Sequence, residues 1–241
     1  MPIVKPRRSS RKTSRQHSYK IYYFAGMKRT GCIFLFLLFL SWHCKQAGVK
    51  DKPVLSPGMR AAAFHSIDSA KALIHNGDII FRNGNDEVSQ AARSMNRKDT
   101  SFSHCGLLFI EHDSVFVYHA LGGIYNPGQK LRRDLLDSFC TPAENNAFGL
   151  YRYDLGETQL KKLKTIVDSF YSAGLKFDMY FNYFSDDEMY CSEFVFKSLD
   201  RSVNGAYSKY VRLDTIPFGV TTDDIFLNEH CRLILRQKFG P

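Results

Sequence analysis

A break in composition near residue 43 most constrains this chain, because it decides how much sequence is available to build a core. Residues 1–43 carry nine Lys or Arg and no Asp or Glu, and they contain the unbroken apolar run Cys32-Ile33-Phe34-Leu35-Phe36-Leu37-Leu38-Phe39-Leu40. Met27-Lys28-Arg29 precedes that run. A short positive stretch followed by an apolar run too brief to span a bilayer comfortably is the pattern of an export signal. Met27 is then a candidate start, with the basic, Ser-rich stretch before it as upstream sequence. Cys44 follows the run and resembles the acylated cysteine of a bacterial lipoprotein, although Trp42 and His43 are bulky where that signal takes small residues. Lipid anchoring at Cys44, an uncleaved anchor, simple secretion and a buried helix all remain open. The expected organisation is a basic extension and export signal at 1–43, a tether and leading helix at 44–69, and a domain at 70–241. With the leader set aside, roughly 170 to 200 residues remain, enough for one proper core.

The same division disposes of the charge. The chain has a formal net charge of +9, yet outside the leader 24 basic residues meet 24 acidic ones. The basic excess therefore belongs to targeting, and nucleic acid is not an expected partner. The six cysteines include no C-x-x-C pair, so neither a zinc ribbon nor a thioredoxin-type motif is available. At least one cysteine then calls for an explanation by reactivity or burial.

Apolar spacing predicts helices over 59–74, 87–95, 131–139, 159–173 and 191–199, with Gly174 stopping the fourth. Strands are expected to begin at Ile79-Ile80-Phe81, and over 105–110, 114–120 and 148–153. The second and third, joined by Glu111-His112-Asp113, suit an antiparallel hairpin. The aromatic-rich segment 177–184 reads as a loop or extended stretch. Helices and strands mixed in this way indicate an α+β domain with an antiparallel sheet packed against helices.

Three residues stand out chemically. Cys191, in Tyr190-Cys191-Ser192-Glu193, starts a predicted helix, where the positive end of the macrodipole favours thiolate. A small buried helix residue is the alternative. His104, in Ser103-His104-Cys105-Gly106, stands at the entrance of an apolar strand, where its ring can reach a cleft and take a thiol proton. It can equally be a half-exposed structural histidine. His119 lies on the partner strand of the hairpin, and if the register holds it can bond the far ring nitrogen of His104, or else cap an apolar face. The backbone N–H of Cys191 is a candidate oxyanion donor, since helix starts leave such donors unpaired, and Tyr190 beside it can shape the cleft. Phe177, Tyr180 and Tyr183 precede Cys191 closely and can line a substrate groove or simply pack the core.

Gly77-Asp78-Ile79-Ile80-Phe81, Ser103-His104-Cys105-Gly106, Gly174-Leu175-Lys176-Phe177-Asp178 and Tyr190-Cys191-Ser192-Glu193 occur in the order found in permuted NlpC/P60 cysteine hydrolases of the YiiX/YebB-like group, which the chain resembles over roughly 70–235. Thr221-Thr222-Asp223-Asp224-Ile225 is similar to the group's closing segment. The resemblance rests on the order of the four motifs. It implies a circularly permuted papain-like fold in which the histidine strand precedes the cysteine helix. It places Cys191 as nucleophile, His104 as base and His119 in the third polar position. That position is often Glu in the group, and His is closer to the lecithin:retinol acyltransferase relatives; Glu111 and His112 are the reserve candidates, though at a hairpin tip.

The implied activity is acyl-enzyme hydrolysis of amide or ester bonds in peptidoglycan peptides or acylated, lipid-like substrates, in the cell envelope and with no cofactor. A catalytically silent cell-wall- or lipid-binding module with the same groove is the second reading. A metal hydrolase built on His104, His112 and His119 is a third, but no compact ligand motif such as H-E-x-x-H supports it.

Overall fold

β-Branched and aromatic residues in short alternating runs give this domain its sheet. A computed structural model describes residues 55–123 and 126–240; the expected leader, Cys44 and most of the tether lie outside the described residues. The elements are α1 (Pro57–Lys71), β1 (Ile79–Gly84), α2 (Glu87–Ser94), β2 (His104–Glu111), β3 (Ser114–His119), β4 (Arg132–Leu135), α3 (Leu136–Phe139), β5 (Asn145–Tyr153), α4 (Glu157–Ala173), α5 (Cys191–Ser202), α6 (Thr222–Phe226) and β6 (Cys231–Lys238). No described helix is long and apolar enough to cross a membrane.

The six strands form one sheet in the order β4-β3-β2-β1-β5-β6, with every neighbouring pair antiparallel. Because strand side chains alternate, the sheet feeds two cores. Ile79, Phe81, Cys105, Leu107 and Phe109 face α4 and α5, meeting Leu163, Val167, Phe194, Val195 and Leu199. Ile80, Leu108, Val117, Phe148 and Leu150 face α1 and α3, meeting Ala63, Ile67, Leu136 and Phe139. Each fully buried side chain of this size contributes roughly 1.5–3 kcal/mol of transfer free energy.

Local chemistry sets the boundaries. Ser56 caps α1 by accepting a hydrogen bond from the Met59 N–H at 3.3 Å. Gly174 ends α4 in the left-handed conformation at φ 67°, which glycine adopts without a Cβ clash. Asp78, just before β1, is fully buried and paired with Arg152 at 2.5 Å.

Residues 131–139 do not form a single helix: Arg132–Leu135 is strand β4, and only the last turn is helical. The strand pairs with β3, placing Arg132 opposite His119 and Asp134 opposite Val117. Arg133 stacks on the Phe116 ring at 3.3 Å from its centroid and pairs with Glu111. Cross-strand contacts of this kind outweigh the local helical preference of a short charged segment. The charges also suit an exposed sheet edge. Two elements that the sequence reading did not specify, α6 and β6, complete the domain.

Candidate active site

The site is built at the end of the sheet, where two strand ends meet a helix start. Cys191 is the first residue of α5. The Tyr190 N–H at the helix entrance donates to Glu193 Oε2 at 3.2 Å, which satisfies a donor that a helix start leaves open. The helix then buries Phe194, Val195 and Leu199 against the sheet, and that packing fixes where the thiol sits. His104 begins β2 and pairs with Arg82 of β1, whereas His119 ends β3.

His104 and His119 are 7% and 1% exposed, and their Nε2 and Nδ1 atoms lie 2.9 Å apart. Gly106 makes this approach possible. It falls one step beyond the Leu107–Tyr118 pair, opposite His119. A Cβ there would lie 3.0 Å from the His119 Cβ and 2.5 Å from Val117 Cγ1. The glycine of the Ser103-His104-Cys105-Gly106 motif thus leaves the space across which the two imidazoles meet.

Beyond His119 stands Asp134, whose Oδ2 is 3.0 Å from His119 Nε2 and 2.7 Å from Arg132. The hydrogen bond from His119 is the main reason the Asp134 carboxyl is pushed down to about 2. An ionised carboxylate only accepts, so the arrangement fixes the proton positions. His119 carries its hydrogen on Nε2 and accepts at Nδ1 from the Nε2–H of His104. The Nδ1 of His104 is left with its lone pair. Burial holds both imidazoles below their ordinary range and therefore neutral, with the Arg82 charge adding to the effect on His104.

Cys191 and His104 line one cleft with Arg82, Ser103, Tyr190, Ser192 and Thr222. The sulfur of Cys191 is within the influence of Cys105, and among the described residues no direct hydrogen bond joins it to His104. A hydrogen bond from the Cys105 thiol is the largest influence lowering the Cys191 pKa; burial opposes it, and the backbone N–H groups of Cys105 and Ser192 and the charge of Arg82 reinforce it. Burial, with Cys191 beside it, pushes the Cys105 thiol well up. Cys191 is thus the cysteine placed to ionise, with Cys105 as its donor.

The rest of the cleft is largely apolar, with Val88, Ala92, Met95, Leu121, Phe177, Phe181, Phe218 and Val220 in its walls. Of the aromatic groove residues expected from sequence, Phe177 is in place. Tyr180 is corrected: it is 89% exposed and does not line the cleft. Tyr183 is corrected as well: it packs beneath Lys197, 4.6 Å from its ring centroid, and behind Gly219. The irregular backbone of this loop, with Phe181 at φ 53°, turns Phe181 inward in their stead. Asp178 orders the loop by accepting from the Tyr180 N–H at 2.7 Å and from the Asn182 N–H.

The opposite wall is tied down by Asp223, whose carboxylate accepts from the backbone N–H groups of Arg97, Lys98 and Asp99 at 3.0, 2.7 and 3.1 Å. Arg97 adds an ion pair to Asp224 at 3.0 Å. This is what the Thr221-Thr222-Asp223-Asp224 segment does structurally.

Glu111 is occupied at the hairpin tip by Arg133 and by the Tyr118 hydroxyl, and His112 stands at the tip with φ 49°. Neither reaches His104. Among the described residues, no three His, Cys, Asp or Glu side chains are grouped to hold a metal ion. Sequence reasoning did not find Asp134, Arg82 or Cys105. The only available signal was Asp134 two residues beyond Arg132 in a charged tetrapeptide, and that segment reads as helix.

A solved structure, that of the metalloprotein yiiX from Escherichia coli O157:H7, is similar to this chain with a TM-score of 0.52 and 20% identity, covering 68% of this chain and 98% of that one. At that identity the likeness speaks for the fold. No curated protein matches the chain. Residues 73–223 match the family described as permuted papain-like amidase enzymes, YaeF/YiiX, C92. The match runs from the turn before β1 to the start of α6 and contains the entire cleft-forming set, and the NlpC/P60-like resemblance read from the motifs belongs to the same permuted papain-like class. The chain is therefore a member of the permuted papain-like amidase family YaeF/YiiX.

Proposed function

We propose that the protein is an exported cysteine hydrolase of the cell envelope, held at the membrane through its N-terminal segment, that cleaves amide or ester bonds through an acyl-enzyme on Cys191. The observation that carries this reading is the neutral His104, whose Nδ1 lone pair is fixed by the chain of hydrogen bonds to His119 and Asp134, in the same cleft as a thiol at a helix N-terminus.

In the first step the Cys191 S–H proton passes to His104 Nδ1 and the sulfur attacks the carbonyl carbon. The charge that develops on the carbonyl oxygen faces the start of α5, where the Cys191 N–H is available. As the tetrahedral adduct collapses, the C–N or C–O bond breaks and the proton on His104 goes to the leaving group. Water then gives a proton to His104 and its oxygen to the thioester, which releases the acid and restores the thiol. His119 holds the imidazole in the required tautomer throughout.

The apolar walls favour an acylated or lipid-like substrate, with a peptidoglycan peptide as the other member of the class. A silent binding module with the same groove is the alternative. The two separate on titration of residues 45–241 with a thiol-directed electrophile across pH. Fast labelling of Cys191, with an apparent pKa below the free-thiol value of about 8.5 and slowed in His104→Ala, is the expected result. Slow labelling indifferent to His104 would overturn the enzyme reading and leave the binding module.

A further inference from the structure

Arg82 has no role in the steps above, yet it lines the cleft that holds Cys191 and His104. It stands on β1 directly opposite His104. Its guanidinium lies over the Phe139 ring, 4.9 Å from the centroid, and Nη1 donates to the Phe139 carbonyl at 3.3 Å. Among the described residues, Nε and Nη2 have no protein acceptor and the group forms no ion pair. Four other polar side chains of the cleft are already engaged within the protein. Ser103 bonds the backbone of Gly84 and Arg82, Ser192 donates to the Val220 carbonyl, Asn96 donates to the Asp99 and Phe102 carbonyls, and Thr221 bonds Asp223 and Asp224.

A guanidinium with one edge fixed and the Nε–Nη2 edge free keeps two parallel N–H donors, the geometry that a carboxylate accepts in bidentate fashion. Arg82 is half-buried and feels the charges of Glu144 and Asp86, and a cation with two open donors at the wall of a mostly apolar cleft favours an anionic ligand there. We infer that Arg82 is a substrate-binding residue that takes a carboxylate placed beside the scissile bond, so that the preferred substrates are acidic acyl compounds or peptides.

This inference rests on the proposed nucleophilic role of Cys191, and the test separates the two. Iodoacetamide and iodoacetate are nearly the same size and react alike: the thiolate sulfur displaces iodide, a C–S bond forming as the C–I bond breaks. Only iodoacetate carries a carboxylate. The intrinsic reactivity of Cys191 cancels in the ratio of the two rates, whatever Arg82 does to the thiol. Labelling is assigned to Cys191 by peptide mass and by its loss in Cys191→Ala.

The expected result is saturable iodoacetate labelling, with an iodoacetate-to-iodoacetamide ratio about tenfold or more above that of a free cysteine derivative. Arg82→Gln should return the ratio to the free-thiol value and Arg82→Lys should restore part of it. Succinate should protect the parent against iodoacetate more strongly than inorganic phosphate does. Stronger protection by phosphate would overturn the carboxylate assignment in favour of a phosphorylated ligand. Should Arg82→Gln fail to fold, the ratio and the protection in the parent decide alone. Rapid iodoacetamide labelling with a free-thiol ratio would sink the Arg82 inference and leave the nucleophile standing, whereas slow labelling by both reagents would sink the nucleophile first.

Discussion

His119 accepts at Nδ1 the hydrogen bond that His104 donates from Nε2, across 2.9 Å and opposite a glycine that leaves room for it. Removing His119 frees the His104 tautomer and leaves a buried N–H without a partner. In His119→Ala, hydrolysis and Cys191 labelling should fall about 10- to 100-fold. Asp134→Asn should cost about tenfold, because a neutral amide no longer dictates which nitrogen of His119 bears hydrogen. Nitrogen chemical shifts of the two imidazoles would report the tautomers directly. A wild-type tautomer pattern in Asp134→Asn would contradict the relay.

The acid side of the rate profile should lie below the ordinary histidine value of about 6.5. Burial first, and the Arg82 charge second, hold the His104 pKa down, so the base stays unprotonated to lower pH. The unfolded chain binds a proton at His104 more readily than the folded one, and stability should therefore fall as pH drops below about 6.5. Arg82→Gln should move the acid limb of the rate profile upward. A limb at or above 6.5 in the parent would contradict this account.

Glu193 has the opposite sign. Burial pushes its carboxyl up to about 7 despite Lys197 Nζ 2.7 Å away. A carboxyl raised in the folded state contributes most below its unfolded pKa, and that contribution is lost as pH rises from about 4.5 through 7. Glu193→Gln keeps an acceptor for the Tyr190 N–H and removes the buried charge. Denaturant melts at pH 5 and pH 8 should show a smaller stability difference in the variant, by up to roughly 3 kcal/mol. Equal differences in the two proteins would refute the buried-charge assignment.

Asp223 is a structural clamp on the cleft wall. Asp223→Ala leaves the N–H groups of Arg97, Lys98 and Asp99 without their acceptor, and the domain should lose about 2–4 kcal/mol. Hydrogen exchange should rise at those three amides. Unchanged protection there would show that the clamp is not carried by this carboxylate.

What the sequence made legible followed from periodicity. Apolar spacing in α4 and α5 and the short polar connection between β2 and β3 were enough to set Cys191 at a helix start and His119 within reach of His104. The rest had no period to read. Arg132 to Leu135 is charged and short, so only its pairing with β3 makes it a strand, and with that strand Asp134 stayed hidden. Tyr180 and Tyr183 lie in an irregular loop where spacing says nothing about direction. Arg82 belongs to no motif, and its importance arises only from the register that sets it beside His104.

Asp134 is supplied by a strand of only four residues at the edge of the sheet. Edge strands are held from one side and fray before the central ones do. The orientation of the proposed base is therefore anchored in the least guarded part of the sheet. On warming, turnover should fail at a temperature where circular dichroism still reports an intact domain, and a crosslink fastening β4 to β3 should bring the two temperatures together.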